Sequence, residues 1–169
     1  MAKEPKKLDD LFHDTLKDIY YAEKKILGAL PKMAKAAQNA ALKAAFEKHE
    51  GETEEQISRL EQVFASIEEK PQGKKCAAIE GILDEGKEIM EEYKGSPALD
   101  AGLISAAQAV EHYEICRYGT LATWADELGN SEGAKLLKMT LNEEETTDKT
   151  LSELAEACVN QEAQQEAAE

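Results

Sequence analysis

The stretch Ala106–Thr120, AAQAVEHYEICRYGT, sets a condition that any fold of this chain must meet. Its apolar residues recur with helical spacing, and a wheel of period 3.6 places Ala107, Val110, Glu111, Glu114, Tyr118 and Leu121 on one face. Two carboxylates therefore point where a core should be. A buried carboxylate without a partner costs several kcal/mol. This helix can stand only among neighbours that neutralise its charge, and the rest of the chain supplies candidates.

From Leu8 onward, Leu11, Phe12, Thr15, Ile19, Ala22, Ile26, Leu30 and Met33 form an apolar stripe over several helical turns, with Glu23 on it. Pro31 falls late in this first helix and predicts a kink or a tightened turn. Leu16, Tyr20 and Leu27 make a second apolar line, expected to meet a fifth helix or another subunit. Asn39 suits the N-cap of a second helix running to about Glu69. That helix carries Leu42, Ala45, Phe46, His49, Glu52, Gln56, Leu60, Val63 and Ile67 inward, so its centre is polar.

Lys70-Pro71-Gln72-Gly73 breaks the chain, and Cys76 to about Tyr93 reads as a shorter helix with a wholly apolar face. Such an element fits a crossover packed outside a bundle. Ser96-Pro97 signals the start of the next long helix, which ends near Leu128 with Gly129 as the closing left-handed residue. Asn130 or Ser131 opens the last helix, whose stripe of Leu137, Leu141, Glu144, Asp148, Leu151 and Ala155 is again acidic in the middle. The prediction is an all-α fold in which residues 1–169 make one domain, with a short flexible N-terminus and a polar tail fraying from about residue 160.

A formal charge of -15 would repel a nucleic-acid backbone, and no apolar run approaches the roughly 20 residues that span a bilayer. With no secretory-type apolar segment near the start, the chain is expected to be soluble and cytoplasmic. Cys76, Cys116 and Cys158 stand singly, which suits reduced structural thiols. Gly-rich phosphate loops and nucleophile elbows do not occur.

If four long helices pack as a bundle, Glu23, Glu52, Glu111 and Glu144 fall at one level, with His49, Glu114 and Asp148 a turn away. Protonation is one way to neutralise them, because like charges in a dry site raise one another's pKa. Divalent cations are another: two of them match four ionised glutamates, and a donor set rich in oxygen suits iron or manganese. His49 is open between a hydrogen-bonded core histidine and a ligand; Tyr113, Tyr118 and Trp124 are explained by helical packing.

AEKKILGALPKMAKAA in the first helix, HEGETEEQISRLEQVF in the second, AQAVEHYEICRYGTLATWADELG in the third bundle helix and LNEEETTDKTLSELAE in the fourth resemble the YciE/YciF-type stress proteins of the ferritin-like superfamily. The resemblance implies a ferritin-like four-helix bundle with an added crossover helix, a homodimer, and a di-iron or di-manganese carboxylate centre. It carries Glu23, Glu52, Glu111 and Glu144 onto the superfamily's four glutamates. Two Glu-x-x-His motifs, usual in the superfamily, have no counterpart: Glu55 follows Glu52 and Thr147 follows Glu144 at that spacing. Implied activities are iron(II) oxidation or peroxide reduction under stress, with oxygen or peroxide as oxidant. The alternative is a non-enzymatic helical interaction protein whose acidic core is protonated or holds a redox-inert ion.

Overall fold

The computed structural model describes residues 5–165. Five helices account for most of them: α1 (Leu8–Ala36), α2 (Ala40–Ser66), α3 (Ala77–Glu92), α4 (Leu99–Glu127) and α5 (Ser131–Leu154). α1 packs on α2, α2 on α5, α5 on α4 and α4 on α1, which closes a four-helix ring around one core. Short turns make α1/α2 and α4/α5 antiparallel hairpins, and the segment containing α3 carries the chain from one hairpin to the other. α3 lies outside the ring against α4 and α1. This is a ferritin-like bundle with a crossover helix.

Local chemistry explains the boundaries. The Asn39 side chain accepts from Ala41 N at 2.9 Å and Leu42 N at 3.2 Å, which satisfies exposed amides of the first turn of α2. Asn39→Ala is expected to cost about 1 kcal/mol, read as a drop of about 2–4 °C in the thermal midpoint. Gly129 takes φ +75° behind α4, and Asn130 caps α5 by accepting from Gly133 N at 2.8 Å. α1 runs through Pro31 without ending.

The start of α4 differs from the sequence expectation. Ser96 and Pro97 lie in a turn, where Ser96 Oγ accepts from Ala98 N and its carbonyl from Leu99 N, and the helix begins at Leu99. Asp100, buried one residue later, accepts from Gln38 N at 2.9 Å and Asn39 N at 2.6 Å. It fastens the α1–α2 turn to the head of α4. Nothing local in the sequence marks that contact, which joins segments about 60 residues apart.

Two further expectations are corrected. Leu11, at the edge of the α1 stripe in its first turn, is 48% exposed, while the neighbouring Phe12 faces inward. Of the second apolar line, Leu16 and Tyr20 are buried inside this chain; the Tyr20 ring meets Phe64 edge-on at 5.5 Å and its hydroxyl donates to Glu61 of α2 at 2.8 Å. Neither needs a second subunit to cover it. Beyond α5 the chain makes a π-helical turn (Ala155–Val159) and a last helical turn, α6 (Asn160–Glu162). The wider turn leaves Val159 buried. The expected flexible N-terminus and the end of the tail fall largely outside the described residues. No described helix is long and apolar enough to cross a membrane.

Candidate metal centre

Each bundle helix brings a polar side chain to the middle of the core because its apolar stripe continues on both sides of that residue. α1 supplies Glu23, α2 His49, α4 Glu111 and Glu114, and α5 Glu144, all at most 2% exposed. His49, Glu111, Glu114 and Glu144 converge so closely that one ligand atom from each lies within 4.8 Å of all the others. His49 Nε2 stands 3.4 Å from Glu111 Oε1 and 3.5 Å from Glu144 Oε2. Glu23 borders this group, and the hydroxyl of the fully buried Tyr118 donates to its Oε1. Tyr118 thus has a role at the site as well as in the packing.

The centre is short of hydrogen-bond donors. With the acids ionised, both oxygens of Glu114, both of Glu144, Oε2 of Glu23 and Oε2 of Glu111 have no donor, and neither does Nε2 of His49 find a partner. Burial is the main cause holding the carboxyl groups of Glu23, Glu111 and Glu114 well above the ordinary range, and the charge of Glu144 adds to it. Glu144 is itself raised by burial, and the nearby His49 partly offsets this. Raised carboxyls that hold their protons relieve part of the deficit, since a protonated acid carries no charge and can donate. Similar groups crowded at one place titrate together, so these are properties of the cluster.

Two residues of the expected set stay at the rim. The side chain of Glu52 is 24% exposed; one oxygen is held by Lys48 and the other lies 3.4 Å from His49 Nδ1. Its carboxyl is lowered, chiefly by the His49 hydrogen bond. Asp148, 23% exposed, accepts from Gln108 Nε2 at 3.0 Å and lies 3.2 Å from His112 Nε2 on the outside of α4. Helical phase alone had put both inward. They sit on the edge of the stripe, where a long side chain reaches solvent.

Helical phase turns Gln56 inward but does not single out its neighbours Glu143, Arg59, Thr53 and Thr147. Glu143, adjacent to Glu144, receives a bidentate pair from Arg59 at 2.6 and 2.7 Å and a bond from Gln56 Nε2 at 3.1 Å. Gln56 is fully buried and its Oε1 lacks a partner. Thr53 is buried and bonds the His49 carbonyl at 2.9 Å, while Thr147 Oγ1 lies 3.4 Å from His49 Nδ1. Hydroxyl residues give no strong periodic signal, since they are common on exposed faces too.

The donor set fits a cation. Buried oxygens without donors, and an imidazole nitrogen aimed among them, are what a hard or borderline divalent ion replaces water with. Sulfur plays no part in the group, which disfavours the thiolate type of zinc site.

Comparison with known proteins agrees with this architecture. The family described as "Domain of unknown function (DUF892)" matches residues 7–164. Protein YciF of Escherichia coli (strain K12) is 47% identical over 163 residues, which cover 96% of this chain and 98% of that protein. The crystal structure of the Escherichia coli stress protein YciF superposes with a TM-score of 0.88, covering 92% of this chain and 99% of the other. YcfI from Rhodopseudomonas palustris gives 0.86 at 43% identity, covering 90% and 97%. With a family match over nearly its whole length and close relatives of the same extent and fold, the chain belongs to the DUF892 family, which is also the YciF family.

Proposed function

We propose that the chain is a YciF-like stress protein that binds divalent cations in its bundle core, two iron or manganese ions per chain. The observation that carries this is the convergence of His49, Glu111, Glu114 and Glu144 within 4.8 Å at a site whose buried oxygens lack donors. Glu23 adds a fourth buried carboxylate, and four ionised carboxylates are balanced by two doubly charged ions. Glu111, Glu114 and Glu144 would hold the ions, with His49 as the nitrogen donor. Tyr118 keeps Glu23 turned into the cluster through its hydroxyl. The centre lies within a core of buried apolar side chains that exclude water. Binding has to displace protons from these raised carboxyls, so affinity rises with pH.

Bound iron or manganese would supply one-electron redox chemistry, which suits iron(II) oxidation or peroxide reduction. A redox-inert role is the second reading, favoured by the predominance of oxygen over nitrogen among the donors. Anaerobic titration with iron(II), followed by oxygen or peroxide, separates the two. Saturation near two ions per chain with repeated turnover supports the redox role; saturation without turnover supports the inert one. No binding by chelator-treated protein would sink the proposal. The homodimer implied by the family belongs to the same proposal, and sedimentation at micromolar concentration tests it.

A further inference from the structure

We propose that Glu52 is a positioning residue: it holds His49 with its proton on Nδ1 and its Nε2 turned to the ion, and is not itself a metal ligand. The proposal rests on the cluster being a metal centre, and it departs from the correspondence that would make Glu52 one of four ligating glutamates.

Three observations support it. His49 and Glu52 are three residues apart on α2 and so face the same way. His49 Nδ1 has hydrogen-bond geometry toward Glu52 Oε2, whereas Nε2, in a ring only 3% exposed, has it toward none of its neighbours. Finally, the second oxygen of Glu52 is engaged by Lys48 outside the bundle, so that moving the carboxylate inward would break both contacts.

The remaining groups do not replace Glu52 in this role. Among the described residues, the other side chain with hydrogen-bond geometry toward Nδ1 is the Thr147 hydroxyl at 3.4 Å, which can donate as well as accept and so does not choose a tautomer. An ionised carboxylate can only accept, and therefore requires the proton on Nδ1. On the Nε2 side stand Glu111 and Glu144. A lone pair on Nε2 facing these carboxyls needs a proton or a cation between them. Orientation of a metal-bound imidazole by a carboxylate on its other nitrogen is a general device, and its removal typically lowers metal affinity about 10–100-fold.

The test compares Glu52→Gln with Glu52→Ala in the full chain. Both remove the charge and any carboxylate ligation, but glutamine keeps an oxygen that can accept from Nδ1, beside an NH2 that can also donate there, so it can hold the ring without imposing the tautomer. In metal-free protein labelled with 15N-histidine, wild type should show a proton on Nδ1 of His49 with slowed solvent exchange, Glu52→Gln should keep that protection in part, and Glu52→Ala should lose it. In Mn2+ titrations, Glu52→Ala should be weaker than wild type by about 10–100-fold and Glu52→Gln should fall between the two. Equal weakening by the two substitutions, or metal-free wild type protonated on Nε2 alone, would overturn the proposal. Wild type that binds no Mn2+ overturns the metal centre itself; because the Nδ1 proton is read without metal, that failure is distinct from a misassigned role for Glu52.

Discussion

Glu114→Gln is expected to change two properties in opposite directions: stability of the metal-free protein at pH 8 rises, and divalent-cation affinity falls by at least about 100-fold, beyond what loss of an outer partner usually costs. Glu114 is fully buried, and its ionised form has no hydrogen-bond donor on either oxygen. Burial, then the charges of Glu144 and Glu23, oppose ionisation. Glutamine has nearly the same shape, carries no charge, and can donate toward Glu23 where the protonated acid would. Leaving a buried polar group unsatisfied costs on the order of 1–3 kcal/mol and more for a charged one, so a gain of about 2 kcal/mol is expected. For a domain of this size that is about 4–8 °C in the thermal midpoint. Melting of chelator-treated protein and calorimetric Mn2+ titration check the two halves. A variant that is less stable at pH 8 yet binds as tightly as wild type would mean that Glu114 is neutralised by the fold alone and has no part in the centre.

The second large effect is the pH profile. Glu23, Glu111, Glu114 and Glu144 all have folded-state carboxyls raised above the ordinary value of 4.5. Between that value and their raised ones, the folded protein binds more protons than the unfolded chain. Stability from these groups is therefore fully present below the unfolded pKa and is lost as pH rises through the folded values. Carboxyls shifted the other way, such as Asp14 beside Lys6 and Lys17 or Glu80 beside Tyr21, lie at the surface, where screening leaves such pairs little weight. In chelator, the thermal midpoint should fall steadily from pH 5 to pH 8.

Mn2+ should reverse that trend. An ion present at about 100 times its dissociation constant adds about 2.7 kcal/mol, or roughly 5–10 °C, at the pH where the site is deprotonated. The same concentration at pH 5 should do much less, since protons compete for the ligands. A midpoint that does not depend on pH in chelator, or Mn2+ stabilisation that is equal at pH 5 and pH 8, would contradict the assignment of the cluster.

The two profiles bear on how a stress protein of this type would behave. Under the proposal, the metal-free core would be neutralised by protons and the loaded core by ions, and the apolar layers on either side of the centre, which do not titrate, would be common to both. Leu16, Ile19, Leu103, Leu121, Leu137 and Leu151, none more than 1% exposed, supply those layers.

Much of this was legible without coordinates. Helical phase is a local property, and the spacing of apolar residues was enough to turn Glu23, His49, Glu111, Glu114 and Glu144 inward and to separate an apolar crossover helix from four interrupted ones. Caps at Asn39 and Asn130 were readable for the same reason, since the side chain that caps is adjacent to the amides it satisfies. Residues at the edge of a stripe were not. Glu52 and Asp148 share the inward phase of their helices to within a fraction of a turn, yet their carboxylates reach the rim.

What the sequence by itself determined is that four long helices with polar centres must share one core, and that the acids turned into it must be neutralised there. Only the tertiary structure decided which groups actually meet, because that depends on how far each helix is rotated against its neighbours. It brought Tyr118 to Glu23, placed Arg59 against Glu143 away from the central acids, tied the α1–α2 turn to Asp100, and set Glu52 behind His49. Contacts of this kind join residues far apart in the chain, and a rotation of one residue step, about 100°, would exchange an inner carboxylate for an outer one.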